Sequence, residues 1–442
     1  AGAAFLFADR DTTTSAGRRA GIALVSLLIL AAVNGTGYTA IAPRIVKGEV
    51  EDRSLHLLEK WNSFSRVVVH KGGLSIPQLW GPGARMPEQP PVMQYYLDID
   101  GEAGTTIRQF RNRDDIAHLA YDVTNVAYHL RQRGSACVIG VGGGRDIHSA
   151  MLAGHGRILG LEVNPIFIDL LQGPFAGFAG LAAHPQVELV ADEARSYLSR
   201  SPETFSVIQM SLIDTWAATG AGAFSLSENA LYTVDAWKLL LDRLDHDGVL
   251  TVSRWHSPGN LGETGRDISL AVASLLESGA TDPAAHIAML TADRISTTIV
   301  ARSPFTGDDV ARLDEIAATL GFEVAISPGT PPEDGMLRKI VSVGSLGELR
   351  SAVADAPLNY RPPTDENPYF FNMLRLGRLR EAFESSPGVV RGNLRATVTL
   401  IVLLICLAVF AVATIVLPLA LRRRGQQGPA PRTLWSGAAY FS

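Results

Sequence analysis

The run Cys137-Val-Ile-Gly-Val-Gly-Gly-Gly-Arg-Asp146, followed at a short interval by Gly160-Leu-Glu-Val-Asn164, constrains this chain most. An apolar stretch that breaks into consecutive glycines and restarts as a helix, then a second apolar stretch ending in an acid, is the pattern of the first half of a nucleotide-binding βαβ unit. Gly142, Gly143 and Gly144 let backbone approach a ligand where side chains would bar it. Glu162, about 20 residues on, ends the next candidate strand, where a carboxylate accepts from both ribose hydroxyls. Asp192 ends a third candidate strand, Val187 to Ala191, placed to meet the base of an adenosine. Three such features at successive strand ends, in this order, point to a nucleoside pocket.

The residues after the glycines narrow the ligand. A dinucleotide loop seats a pyrophosphate on the helix N-terminus. Here the helix opens with Arg145-Asp146-Ile147-His148, and an acid so near the turn repels phosphate. A sulfonium nucleoside without phosphates fits better.

The surrounding pattern predicts the fold. From Asp114 to Arg131, Ile116, Leu119, Ala120, Val123, Ala127 and Leu130 recur at helical spacing, which predicts one helix stopped by Gly134. Strand candidates follow at 135–141, 157–163, 186–191, 205–210 and 247–253, separated by helical or loop stretches. That alternation predicts a Rossmann-like parallel sheet with helices on both faces, over residues 113–302. Runs at 286–290 and 295–301 are candidates to close it as an antiparallel edge. Residues 43–112 read as a β-rich extension: a strand from Trp61 to His70, a Gly- and Pro-rich loop from Leu74 to Pro91, and a hairpin from Val92–Asp100 and Thr105–Phe110. A small antiparallel β layer therefore precedes the parallel sheet. Residues 303–395 are a C-terminal extension and linker with one helix signal, Asp308 to Leu320.

Two segments add a membrane class. Residues 20–42 form an uncharged run of 23 residues and residues 396–421 one of 26. Each is long enough to cross ~30 Å of hydrocarbon at ~1.5 Å per residue, so both are expected to be transmembrane helices. The second ends at Arg422-Arg423-Arg424, and the first is interrupted by Asn34-Gly-Thr-Gly-Tyr38. Residues 1–19 read as a polar loop of a longer membrane protein and 422–442 as a tail. Arg18, Arg19 and Arg422 to Arg424 outside the spans nearly balance Arg44, Lys47, Arg391 and Arg395 on the domain side, so charge does not set the orientation. A net charge of -5 without a long basic run gives no support to nucleic-acid binding. Ten histidines and two cysteines lack ligand spacing, so no metal site is expected. Cys137 falls in a core strand and Cys406 in an apolar helix, which argues against a disulfide framework.

Four motifs carry a family resemblance. Gly142-Gly-Gly-Arg-Asp146, Leu161-Glu-Val-Asn164, Val190-Ala-Asp-Glu-Ala-Arg-Ser-Tyr-Leu198 and Phe205-Ser-Val-Ile-Gln-Met210 resemble the spermidine synthase family, of the class I S-adenosylmethionine-type fold. Trp61-Asn-Ser-Phe-Ser-Arg66, Asp214-Thr-Trp216, Leu226-Ser-Glu-Asn-Ala-Leu-Tyr232 and Thr364-Asp-Glu-Asn-Pro-Tyr-Phe-Phe371 look like its large membrane-embedded bacterial branch. The likeness spans about residues 56–375.

The resemblance implies transfer of a group from S-adenosylmethionine or its decarboxylated form to a small-molecule nucleophile, often a polyamine amine. It implies adenosyl-cofactor contacts at Gly142, Gly143, Gly144, Arg145, Asp146, Glu162 and Asp192. Where the family's fourth strand ends Asp-Ser-Ser-Asp, this chain has Ser211-Leu-Ile-Asp214, which leaves Asp214 as candidate base or amine anchor. Where the family has Gly-Gly-Gly-Asp, this chain has Arg145, which could pair with the carboxylate of intact S-adenosylmethionine and favour methyl transfer. Tyr121, Ser211, Trp216 and Tyr232 are candidates for the substrate pocket, with His256 beside them. Aminopropyl transfer, methyl transfer and a non-catalytic nucleoside-binding role regulating the membrane part are all open at this level. The implied location is a bacterial inner membrane, with the bilayer as a partner and the domain on the cytoplasmic side where such cofactors are made. A homo-oligomer stays open.

Overall fold

The protein is described by a computed structural model covering residues 14–36, 43–46, 49–63, 65–101, 103–213, 227–257, 261–385 and 388–418. It divides into two compact units, residues 1–54 and 55–442. The first holds helix α1 (Thr14–Gly35) and a hairpin of two-residue strands, Ile45–Val46 with Glu49–Val50. The apolar part of α1 is Gly21–Asn34, short of a membrane crossing, and residues 37–42 of the expected first span lie outside the described residues.

The second unit opens with a five-stranded antiparallel sheet: β1 (His56–Trp61), β2 (Arg66–His70), β3 (Gly73–Ser75), β4 (Val92–Ile99) and β5 (Ala103–Arg108). β2 and β3 pair with successive halves of β4 through Val67 opposite Ile99 and Gly73 opposite Gln94. The strand predicted from Trp61 to His70 is instead a hairpin, because the Asn62 amide bonds to the Ser65 carbonyl at 3.1 Å and turns the chain.

The helix expected from Asp114 to Arg131 is also interrupted. Residues 113–121 and 123–125 are 3-10 turns, and only α2 (Val126–Leu130) is α-helical. The break is at Asp122, whose backbone is extended at φ -90 and ψ 127. Its carboxylate accepts from the amides of Trp80, Gly81 and Thr124, so long-range bonds outweigh the helical periodicity.

The large sheet has eight strands: β6 (Ser135–Ile139), β7 (Arg157–Glu162), β8 (Val187–Ala191), β9 (Phe205–Ser211), β10 (Leu244–Trp255), β11 (Ile287–Ala292), β12 (Ile295–Ala301) and β13 (Glu323–Ile326). Their order across the sheet is β8-β7-β6-β9-β10-β12-β11-β13. The first five run parallel; β12 enters antiparallel beside β10, then β11 and the unpredicted β13 continue antiparallel.

Both faces of this sheet are covered, which explains its nearly continuous apolar strands. Cys137 and Ile139 face one layer, with α6 (Ala194–Arg200), α7 (Val234–Asp242) and α8 (Gly262–Glu277); Ala136 and Val138 face the other, with α2, α3 (Arg145–Leu152), α4 (Pro165–Gln172) and α5 (Ala176–Ala179). Trp237 of α7 is fully buried, and truncating such a side chain to alanine costs about 3–5 kcal/mol.

At the C-terminal end the helix Gly388–Ala411 continues into a π-helical turn, Val412–Val416. Within it Thr397–Val416 has mean hydropathy 3.0 and none of it is buried against protein. Among the described residues it is the one helix long and apolar enough to cross a membrane.

Candidate active site

The chain leaves β6 for β7 and β8 on one side and returns to β9 on the other, so the connections diverge between β6 and β9. Ligands of open α/β sheets bind in the crevice at the carboxyl ends beside such a point. A cavity of about 770 Å³ lies there, bounded by the ends of β6 to β9 on one side and by β4 and β5 of the small sheet on the other. That volume suits a small-molecule site.

Its floor is the glycine turn, which begins earlier than the triplet. Gly140, Gly142 and Gly144 have φ of 82°, 50° and 85°, so alternate residues from the end of β6 take the left-handed conformation that glycine alone adopts freely. Gly140, missed from the sequence, lines the cavity, whereas Gly143 and Gly144 do not. A Cβ on Gly143 would lie 2.2 Å from the Thr106 carbonyl oxygen, and one on Gly144 would lie 2.3 Å from Leu181. These two glycines thus let protein pack on protein. The Gly-Val-Gly that starts the motif was the available signal for Gly140.

Glu162 ends β7 with its carboxylate on the cavity wall. It accepts from the Gly142 amide at 3.1 Å and from the Asn164 amide at 2.9 Å. Burial pushes this carboxyl up from its ordinary value, while the two amides hold it down. Asn164 caps α4, ahead of Pro165 at its first position. Its side chain also joins the tip of the small sheet, receiving from Asn62 at 2.7 Å and donating to Ser65 at 2.9 Å. Asn62 and Ser65 therefore dock the β layer onto the acid turn. Asp192 follows β8 on the same wall and receives from Arg200 at 2.6 Å and from the Glu193 amide at 2.8 Å.

Arg145 and Asp146 form the first turn of α3 and both line the cavity. The Arg145 guanidinium is shared between two acids: Nη1 donates to Asp122 at 2.9 Å and Nη2 sits 2.7 Å from Asp146 Oδ1. The second contact is an ion pair without hydrogen-bond alignment. Arg145 also donates to the Thr124 hydroxyl at 3.0 Å and lies over the Trp80 ring. Its charge is thus directed into protein carboxylates. Beneath it Arg108 is fully buried, and desolvation with the nearby Arg145 charge lowers its pKa to about 9.

The predicted substrate residues fall in different places. Ser211, at the end of β9, lines the cavity and receives from Gln209 at 2.9 Å. Tyr232 also reaches the wall, but its hydroxyl receives from Arg254 at 3.1 Å and its ring packs on Phe370 at 4.7 Å. Tyr121 and His256 are not on the wall. Asp214 and Trp216 lie outside the described residues. Trp80, Trp255 and Tyr96 supply aromatic surface that the motifs did not indicate.

Among the described residues the charged groups of the wall are the carboxylates of Asp100, Asp146, Glu162, Asp192, Glu193 and Glu228 against the single guanidinium of Arg145. Such a wall attracts cations and opposes phosphates. No group of three or more His, Cys, Asp or Glu side chains among the described residues is placed to hold a metal ion.

The strand order, with its mostly parallel sheet and antiparallel β12, fits the class I S-adenosylmethionine-type fold. No family model matches the chain, and no curated protein does. Similar solved structures include a spermidine synthase from Thermotoga maritima, 14% identical over 57% of this chain and 75% of that one, with TM-score 0.37. A probable spermidine synthase from Corynebacterium glutamicum is 12% identical over 65% of this chain and 94% of that one, with TM-score 0.39. Human methyltransferase-like protein 13, solved in complex with SAH, is 12% identical over 45% of this chain and 90% of that one, with TM-score 0.32.

Proposed function

We propose that this chain is a membrane-anchored transferase that moves an aminopropyl group from decarboxylated S-adenosylmethionine to an amine of a polyamine. The observation that carries this reading is the wall of six carboxylates and one guanidinium. A decarboxylated sulfonium cofactor and a polyamine are both multiply cationic, and each gains from such a wall. Glu162 would take the ribose hydroxyls and Asp192 the adenine side, at successive strand ends. Arg145 supports the decarboxylated form, because its guanidinium is shared between Asp122 and Asp146 and has little to offer a cofactor carboxylate. The aromatic faces of Trp80, Trp255 and Tyr96 suit alkyl chains that carry charge at intervals.

The helix Thr397–Val416 would anchor the protein, since an apolar helix that none of the described residues covers is stable in hydrocarbon and not in water. The α/β unit would face the cytoplasm, where the cofactor is made. The test is turnover: purified protein with decarboxylated S-adenosylmethionine and a diamine should release methylthioadenosine. The contrary result is a methylated product with intact S-adenosylmethionine, or no product with either cofactor across a panel of amines.

A further inference from the structure

Taking the proposed transfer as its starting point, we infer that Asp146, at the start of α3, is the catalytic residue that accepts the proton of the acceptor amine. The end of β9 carries Ser211 at the cavity, and a hydroxyl can accept a hydrogen bond from an ammonium but does not take its proton at neutral pH. The carboxylate of Asp146 stands across the same crevice. β6 and β9 are adjacent, with Ile139 opposite Met210, so the turn after β6 and the residue after Met210 flank the point where the strand connections diverge. Glu162 and Asp192, by contrast, follow β7 and β8 on one side of that point. A nucleoside held by those two acids directs its sulfonium end toward the crevice between β6 and β9, where Asp146 and Ser211 lie.

Asp146 is held for such a task. Its side chain is 7% exposed, and Arg145 Nη2 fixes Oδ1 at 2.7 Å without occupying it as an aligned hydrogen-bond donor. Ser211 lies close enough to favour the charged carboxylate, as does Arg145, while burial and Asp122 oppose it; the balance raises the carboxyl above its ordinary value. A base poised in this way removes a proton from an ammonium more readily than an exposed aspartate does.

An ammonium of the acceptor gives one proton to the Asp146 carboxylate and becomes a neutral amine. Its lone pair forms a bond to the aminopropyl carbon next to sulfur, and that C–S bond breaks with both electrons staying on sulfur. The products are neutral methylthioadenosine and a secondary ammonium, and the proton on Asp146 passes to solvent.

The experiment measures methylthioadenosine release and cofactor affinity together, on the full chain, for wild type, Asp146→Asn, Ser211→Ala and Asp214→Asn. Asp146→Asn is expected to lower kcat by about 100-fold or more, in the range for a lost general base, with cofactor Kd changed less than about threefold. The acidic limb of the wild-type pH profile should vanish in Asp146→Asn. In Ser211→Ala it should move to higher pH, because a group favouring the charged carboxylate has gone. Ser211→Ala also keeps the idea testable if Asp146→Asn does not fold. Wild-type kcat in Asp146→Asn, an unshifted limb in Ser211→Ala, or loss of the limb in Asp214→Asn alone would overturn the assignment. A wild type that binds cofactor but releases no methylthioadenosine with any amine overturns the transfer itself, and the assignment with it.

Discussion

Gly142 donates its amide hydrogen to Glu162 across 3.1 Å, so the turn after the first parallel strand is tied to the acid that ends the second. Glu162→Gln keeps the shape but turns an amide NH₂ toward one of the two backbone donors, Gly142 or Asn164, and removes the charge that would receive ribose hydroxyls. Losing hydrogen bonds to a charged acceptor costs about 1.5–3 kcal/mol, so adenosyl-ligand affinity should fall roughly 10- to 150-fold. Calorimetry on the variant checks this; unchanged affinity would remove Glu162 from the site.

Gly143 separates structural from ligand-facing roles in the glycine turn. A methyl group there would lie 2.2 Å from the Thr106 carbonyl oxygen, so Gly143→Ala must push the turn away from β5. The expected cost is about 1–3 kcal/mol, visible as a lower Tm. Gly177, where an added Cβ meets nothing within 4 Å, is the matched control and should lose no more than a few tenths of a kcal/mol as alanine.

Asp267 of α8 gives a pH signature far from the cavity. It is fully buried, neither oxygen has a hydrogen-bond partner among the described residues, and desolvation raises its pKa from 3.8 to about 7 despite the pull of Thr298 and Arg254. The folded state therefore holds the proton more tightly than the unfolded state. Its stabilising contribution is complete below pH 3.8 and is lost as pH rises through about 7. Asp267→Asn should leave stability near wild type at pH 4 and raise it at pH 8. Denaturant melts at the two values test this, and equal differences at both would refute it.

The helix Thr397–Val416, proposed to cross a membrane, can be probed through its own thiol. Cys406 lies within Thr397–Val416 and is exposed, whereas Cys137 is buried in β6. A charged reagent does not enter hydrocarbon. In intact vesicles a charged maleimide should therefore leave Cys406 unlabelled, and denaturation in detergent should make it reactive. Full labelling in intact vesicles would show that the helix does not span.

Much of this architecture was legible because local chemistry and tertiary need agree along β6 to β9, where apolar runs end at Gly140, Glu162, Asp192 and Ser211. The carboxyl-end positions of those residues follow from strand limits alone. What escaped the sequence depends on partners distant in the chain. Asp122 breaks a helically spaced stretch because Trp80, Gly81 and Arg145 converge on it, and none of those contacts has a periodicity. The sharing of Arg145 between Asp122 and Asp146 escaped for the same reason, since those two acids meet only in the fold. The β-layer side of the cavity, with Tyr96 and Asp100, comes from a hairpin whose sequence carries no motif of binding.

The acidic cavity is proposed to take an adenosyl sulfonium and to prefer the more cationic form. Calorimetric titration of the purified full chain with decarboxylated and intact S-adenosylmethionine tests it most directly. Both forms should bind, the decarboxylated form about tenfold tighter or more, a difference of roughly 1.4 kcal/mol that shrinks as salt is raised. Tighter binding of the intact form, or no binding of either, would contradict it.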